Sequence, residues 1–125
     1  MEEVFEKIRD MLADILDLEG QEILPEMYVI RDLGAESIDL LELAVSLNAG
    51  FNVEVDDKDI FLLRLRDYVA QAEEAGMDVT HYLADRLRFL SRQRLEEIIS
   101  DLEGGPTLKV KDLVSYILWQ REHGR

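Results

Sequence analysis

Asp32-Leu33-Gly34-Ala35-Glu36-Ser37-Ile38-Asp39-Leu40-Leu41-Glu42-Leu43 is the stretch on which the reading of this chain turns. Serine is a strong N-cap, and Ile38, Leu41, Val45 and Leu47 follow Ser37 in a helical stripe, so a helix is predicted to open there. Leu40, Leu43 and Ala44 widen that stripe almost all round. A helix of this kind is either central to a core or also meets a partner. It is expected to stop at Ala49-Gly50, leaving Phe51, Val53 and Val55 as an extended connector too short to make a strand.

Upstream, Val4, Ile8, Met11, Leu12 and Ile15 recur at steps of three and four between acids. They predict an amphipathic helix of roughly 15 residues ending near Leu18-Glu19-Gly20, where Gly20 can take the left-handed cap. Residues 21–36 contain Pro25 and isolated apolar residues, and read as a long ordered loop of the functional kind. Downstream, Asp56-Asp57-Lys58-Asp59 places acids at the start of a short helix, and Ile60 to Ala75 reads as its continuation up to Gly76. Asp78 and Ser91 are expected to cap two further helices, with stripes Val79-Tyr82-Leu83-Leu87-Leu90 and Leu95-Ile98-Ile99-Leu102. Gly104-Gly105-Pro106 is a stop before a last helix. The fold class is therefore all-α. Val4, Ile8, Leu12, Ile15, Leu43, Leu47, Val110, Leu113, Val114 and Ile117 are its expected inward-facing residues.

Composition narrows the function. The 125 residues suffice for one domain, and 28 acidic against 14 basic side chains give a net charge of −14. So acidic a chain repels phosphate backbones and anionic membranes, which argues against nucleic acid and against membrane binding or insertion. Basic protein surfaces are its natural partners. The absence of cysteine excludes disulfides, zinc–thiolate sites and cysteine nucleophiles. No apolar run approaches the ~20 residues of a membrane span, and Met1-Glu2-Glu3-Val4 does not open a signal peptide, so a cytoplasmic setting is expected. The acidity is uneven: net −13 over residues 1–61, −3 over 62–105 and +2 over 106–125. Such a shift inside a short chain suggests an insertion and not a second domain.

The central stretch resembles the phosphopantetheine attachment site of acyl carrier proteins, a family that usually shows Gly-x-Asp-Ser-Leu before an acidic, Leu-rich helix. Gly34, Ser37, Asp39, Glu42 and Leu43 match in place, while Glu36 and Ile38 replace the usual Asp and Leu and keep charge and bulk. The order of elements is similar as well, through Phe51-x-Val-x-Val to a final helix over Val110–Ile117. The resemblance implies an acyl-carrier-like four-helix bundle, a single carrier domain over residues 1–125 with a helical insertion at 62–105. It implies a 4'-phosphopantetheine arm on Ser37 that holds acyl groups as thioesters for fatty-acid, lipid or related acyl biosynthesis. The implied partners are a phosphopantetheinyl transferase and the acyl-synthesis and acyltransferase enzymes, whose basic patches would dock on Glu36, Asp39, Leu41, Glu42 and Val45.

The residues agree with a passive role. A serine nucleophile in an enzyme needs a base, the histidines are His81 and His123, and Gly34-Ala35-Glu36-Ser37 is no nucleophile elbow. A carrier and not an enzyme is expected. The bland alternative makes Ser37 a plain helix cap and the chain an unmodified helical adaptor on a carrier scaffold; a polyketide or aminoacyl carrier is another. Asp56, Asp57 and Asp59 lack the Gly and terminal Glu of a calcium loop and read as helix-start acids, so no metal site is expected. Three departures from the family point to a specialised carrier of long or modified acyl chains. Leu47–Phe51 carries no acid, Lys109 stands before Val110 where the family often has a capping Thr, so that Thr107 two residues earlier is the expected cap, and 62–105 is extra. The inserted helices are expected on the core near the third and last helices of a monomer, with a homodimer through them as the alternative. Arg86, Arg88, Arg92 and Arg94 are expected on their outer face or against the acidic first half.

Overall fold

A computed structural model describes residues 2–124. Its α-helices are α1 (Glu2–Ile15), α2 (Ser37–Phe51), α3 (Asp57–Ile60), α4 (Leu65–Glu74), α5 (Val79–Arg86), α6 (Arg92–Ser100) and α7 (Val110–His123). Among the described residues there is no strand, so the all-α class read from periodicity holds. α1 packs on α2 and on α7, and α3 packs on α7. α4 packs on α5, and α5 on α6. Of the expected inward-facing residues all are buried except Ile15, which is half-buried. Leu83, Leu87, Leu90, Leu95 and Ile98 join the same hydrophobic cluster as Val4, Ile8, Leu43, Val114 and Ile117.

Several helix ends differ from the sequence expectation. α1 stops at Ile15 because Asp17, at φ 59°, turns the chain left-handed, and the Leu18 N–H reaches back to the Ala13 carbonyl at 2.8 Å. That six-to-one bond closes a Schellman cap before Gly20 is reached. α2 runs through Gly50 to Phe51 and ends at Asn52, also left-handed at φ 55°. Gly50 marks a close crossing and not a stop: a Cβ there would lie 2.5 Å from the Met11 Cε of α1.

The expected continuous helix from Ile60 to Ala75 is broken between α3 and α4, where Leu62 sits at φ 58°. A left-handed leucine costs about 1–2 kcal/mol. Burying its side chain together with that of Phe61 returns roughly 1.5–3 kcal/mol each, so burial wins. α7 is capped not by Thr107 but at Lys109, whose N–H donates to Asp112 Oδ2 at 2.9 Å. Asp78 and Ser91 do cap α5 and α6, accepting from His81 N–H at 2.9 Å and Arg94 N–H at 3.1 Å.

Arg94 is not on an outer face. It is buried and grips Asp112 of α7, with a further bond of 2.7 Å to the Thr107 carbonyl. Asp101, just beyond α6, accepts from the Tyr28 hydroxyl at 2.6 Å and from Arg31 at 3.2 Å, which ties the long loop to the same region. Phe89 packs edge-on against Tyr116 of α7, centroids 5.0 Å apart. Tyr116 in turn accepts the Asp56 N–H at 3.0 Å and so fixes the entry to α3.

Candidate functional site

The site is assembled by the long loop over residues 21–36. Val29 N–H donates to the Leu108 carbonyl and Val110 N–H to the Met27 carbonyl, each at 3.0 Å, which pins the loop to the start of α7. Gly34 then turns the chain at φ 77°, a conformation that a side chain would strain. Ala35 is buried beneath the turn and bonds back to the Val29 carbonyl at 3.2 Å. The chain therefore reaches Glu36 extended and enters α2 at a fixed angle.

Ser37 is the first residue of α2 and not its cap. The N-cap is Glu36, whose N–H donates to Asp39 Oδ2 at 2.8 Å. Asp39 reaches back from three residues on and completes the helix start, which leaves the Ser37 hydroxyl exposed and uncommitted to capping. The first-turn amides of a helix lack intrahelical acceptors, and the helix dipole adds partial positive charge there. An anion esterified to Ser37 would sit in that field.

α2 has two apolar faces. Leu40, Leu43, Leu47 and Phe51 enter the core. Ile38, Leu41 and Val45, at the spacing of one helical stripe, face outward and are 71%, 59% and 69% exposed. The stripe read from sequence thus splits: Leu47 belongs inside, while Ile38, Leu41 and Val45 belong to the surface. Glu36 and Glu42 are exposed beside that stripe, and Asp39 is half-buried by its capping bond.

Across from α2, Leu63 projects from the turn after α3 and is 57% exposed. With Ser37, Leu40, Leu41, Asp57 and Phe61 it lines a cleft of ≈ 180 Å³. Sequence reading missed Phe61, Leu63 and the outward role of Ile38. The signal lay in Phe61-Leu62-Leu63, since three consecutive apolar residues cannot share one face of a helix.

The titratable group that lines the cleft is Asp57. No histidine lines the cleft: His81 is in the first turn of α5, and His123 stacks on Trp119 at 4.8 Å. Asp56 caps α3, accepting from Lys58 N–H at 3.0 Å and Asp59 N–H at 3.3 Å. Burial, and then the charge of Asp56, push the Asp59 carboxyl above its ordinary range. Among the described residues no helix is long and apolar enough to cross a membrane.

Residues 6–70 match the family model described as "Phosphopantetheine attachment site". The acyl carrier protein of Clostridium acetobutylicum is 43% identical over 56 residues, covering 45% of this chain and 73% of that protein. The acyl carrier protein of Nitratidesulfovibrio vulgaris strain DP4 is 37% identical over 67 residues, 53% of this chain and 88% of that one. The acyl carrier protein of Campylobacter concisus is 36% identical over 74 residues, 58% of this chain and 96% of that one. No solved structure matches the chain.

Proposed function

This chain belongs to the acyl carrier protein family, and from that premise we propose that Ser37 is the residue that bears its phosphopantetheine arm. The family's prosthetic group is 4'-phosphopantetheine, and its members are carriers and not enzymes. Bound, the group supplies a terminal thiol that holds an acyl chain as a thioester. The residues present suit it: an exposed hydroxyl on the first residue of α2, unsatisfied amides behind it, and an apolar cleft beside it. Ser37 accepts the arm through its Oγ, the transferase supplies the base, and the α2 dipole stabilises the phosphodiester charge.

A carrier of this family interacts with a phosphopantetheinyl transferase and with acyl-handling enzymes. Their docking surface is the outer stripe Ile38, Leu41 and Val45 with Leu63 opposite, fringed by Glu36, Asp39 and Glu42. Apolar contact there supplies affinity, and the acids select and steer basic patches. The pathway is fatty-acid or related lipid synthesis in the cytoplasm, with a long or modified acyl chain as cargo. Residues 62–105 are an insertion into one carrier domain. The placement of α7 supports that reading: it packs on α1 and α3, although the family match ends at residue 70, inside α4.

The observation that carries the proposal is Ser37 standing exposed at the head of α2 beside the cleft. Its test is the intact mass of the chain after incubation with coenzyme A and a broad-specificity transferase. A phosphopantetheine adduct, absent from Ser37→Ala, is expected. Unmodified wild-type chain would instead favour the adaptor reading, and an adduct retained in Ser37→Ala would place the arm elsewhere.

A further inference from the structure

Between Val29 and the start of α2 the long loop makes its polar contacts mostly with itself. Asp32 Oδ2 accepts the Tyr28 N–H at 2.8 Å, and the amides of Asp32, Leu33, Gly34 and Ala35 bond back to the carbonyls of Tyr28, Val29 and Ile30. Among the described residues 30–35, Arg31 alone hydrogen-bonds outside the loop. Its guanidinium grips the segment just beyond α6. Nη1 donates to Asp101 Oδ1 at 3.2 Å, and Nη2 donates to the Asp101 carbonyl at 3.2 Å and to the Gly105 carbonyl at 3.0 Å. The Tyr28 ring lies against the same guanidinium, 4.1 Å away, and the Tyr28 hydroxyl donates to Asp101 Oδ2 at 2.6 Å. One carboxylate therefore receives both ends of the turn Tyr28–Arg31.

Asp101 is itself held from behind. It follows α6, which Arg94 fixes to Asp112 of α7, and the neighbouring Leu102 carbonyl accepts from Arg66 of α4 at 2.7 Å. Gly104 leaves room for the contact, since a Cβ there would lie 2.9 Å from both Arg31 Nη2 and Asp101 Oδ1. Asp101 also stands outside residues 6–70, the part of the chain that matches the family model.

Resting on the carrier reading above, we propose that Asp101 is a positioning residue for the modification of Ser37. Through it the extra helices hold the loop in the conformation that an enzyme acting on Ser37 must find. Arg31 precedes Ser37 by six positions, with the Gly34 turn between them, so a displaced Arg31 shifts the entry into α2. A loop free to leave that conformation presents Ser37 correctly for only a fraction of the time, and the apparent affinity of the enzyme falls by that fraction. Fixing the loop beforehand removes the cost. The transfer step itself is untouched, because Asp101 does not line the cleft that holds Ser37.

The test follows transfer of phosphopantetheine from coenzyme A by a broad-specificity transferase, with the full chain as the varied substrate and intact mass as the readout. Unmodified wild type would overturn the carrier reading, and this is seen before any variant is compared. Asp101→Asn removes the charge, Tyr28→Phe removes the hydroxyl, and Gly104→Ala wedges the pair apart. Each should raise KM about three- to tenfold and leave kcat as it is, at a temperature where circular dichroism shows the variant folded. Hydrogen exchange should quicken over residues 29–36 and not in α1. A wild-type KM in the folded variants would overturn the proposal. A lower kcat at unchanged KM would overturn it too, because Asp101 would then act on the transfer step and not on presentation of the loop. If Asp101→Asn does not fold, Tyr28→Phe, which loses a single hydroxyl, decides between these outcomes.

Discussion

Arg94 of α6 holds both carboxylate oxygens of Asp112 in α7, its Nε and Nη2 each 2.8 Å away, and both side chains are all but sealed from solvent at 7% and 1% exposure. Burial works against the Arg94 charge, but the bonds to Asp112 and the charges of Asp112 and Glu97 outweigh it, so the guanidinium stays protonated. Because Asp112 also receives the Lys109 N–H, this pair joins the extra helices to the cap of the last helix. Truncating one partner of a buried pair strands the other charge. Arg94→Ala should therefore destabilise the protein by about 3–5 kcal/mol in urea unfolding. Arg94→Ala with Asp112→Ala should recover most of that loss but not the cap, worth about 1 kcal/mol. A change under about 1 kcal/mol for Arg94→Ala would mean that α6 is only loosely held on α7.

Glu26 predicts an acid-sensitive contribution. Hydrogen bonds from Lys111 and then Lys109, at 2.8 and 3.0 Å, hold its carboxyl down at about 2 against an ordinary 4.5. A depressed pKa means that its stabilisation is fully present above 4.5 and disappears as the pH falls through that value toward 2. Glu26 itself is 66% exposed, although Lys109 and Lys111 are largely covered, so each bridge contributes only about 0.2–1 kcal/mol. Glu26→Gln should be slightly less stable than wild type at neutral pH, and the gap should close on acidification. A gap that stays constant from pH 7 to about pH 3 would show that the loop is held by its backbone bonds alone.

The fold was legible where residues repeat and obscure where a single residue acts through space. Apolar spacing placed α1, α2, α5, α6 and α7, and Asp78 and Ser91 announced their helices because a cap acts on amides only two or three residues away. Helix ends were misread because glycine was taken as punctuation. Asp17 and Asn52 make the left-handed turns instead, and Gly50 is explained only by Met11, 39 positions away in sequence. Ser37 stood out in the sequence by its motif, but its freedom from capping depends on which acid reaches back, and Glu36 and Asp39 were both available. The cleft residues Phe61 and Leu63 were hidden because the left-handed Leu62, which breaks the helix between them and brings both to the cleft, is a choice of the folded core.

Asp17 offers a test of that cap. Its φ of 59° is a conformation that costs an ordinary side chain about 1–2 kcal/mol, less for Asp, and its side chain is exposed. Asp17→Gly removes the cost but adds freedom to the unfolded chain, worth about 0.4–1 kcal/mol in the other direction. A gain of about 0.5 kcal/mol is expected in chemical denaturation. Asp17→Ala, which keeps a Cβ and loses the tolerance of Asp for this region, should lose stability. Indifference to both changes would mean that α1 frays before the Schellman bond forms.

The last prediction separates the acids around Ser37, which differ in what they do for the fold. Glu36 and Glu42 are exposed, and Glu42 makes no bond that holds α2. Asp39 accepts the Glu36 N–H and so starts the helix. Glu42→Lys should slow transfer of the phosphopantetheine arm several-fold at low ionic strength, with the melting temperature unmoved, because it reverses a steering charge and breaks nothing. Asp39→Lys should slow transfer as well, but with a stability loss of about 1 kcal/mol from the broken cap. Asp39→Asn can still accept the Glu36 N–H and should restore stability without restoring the rate. Added salt should bring the Glu42→Lys and wild-type rates together, since exposed charges are screened beyond about 8–10 Å. Rates that differ equally at low and high salt would assign Glu42 a direct contact and not a steering charge. Equal rates at low salt would take the acids out of transferase docking and leave it to the apolar stripe of Ile38, Leu41 and Val45.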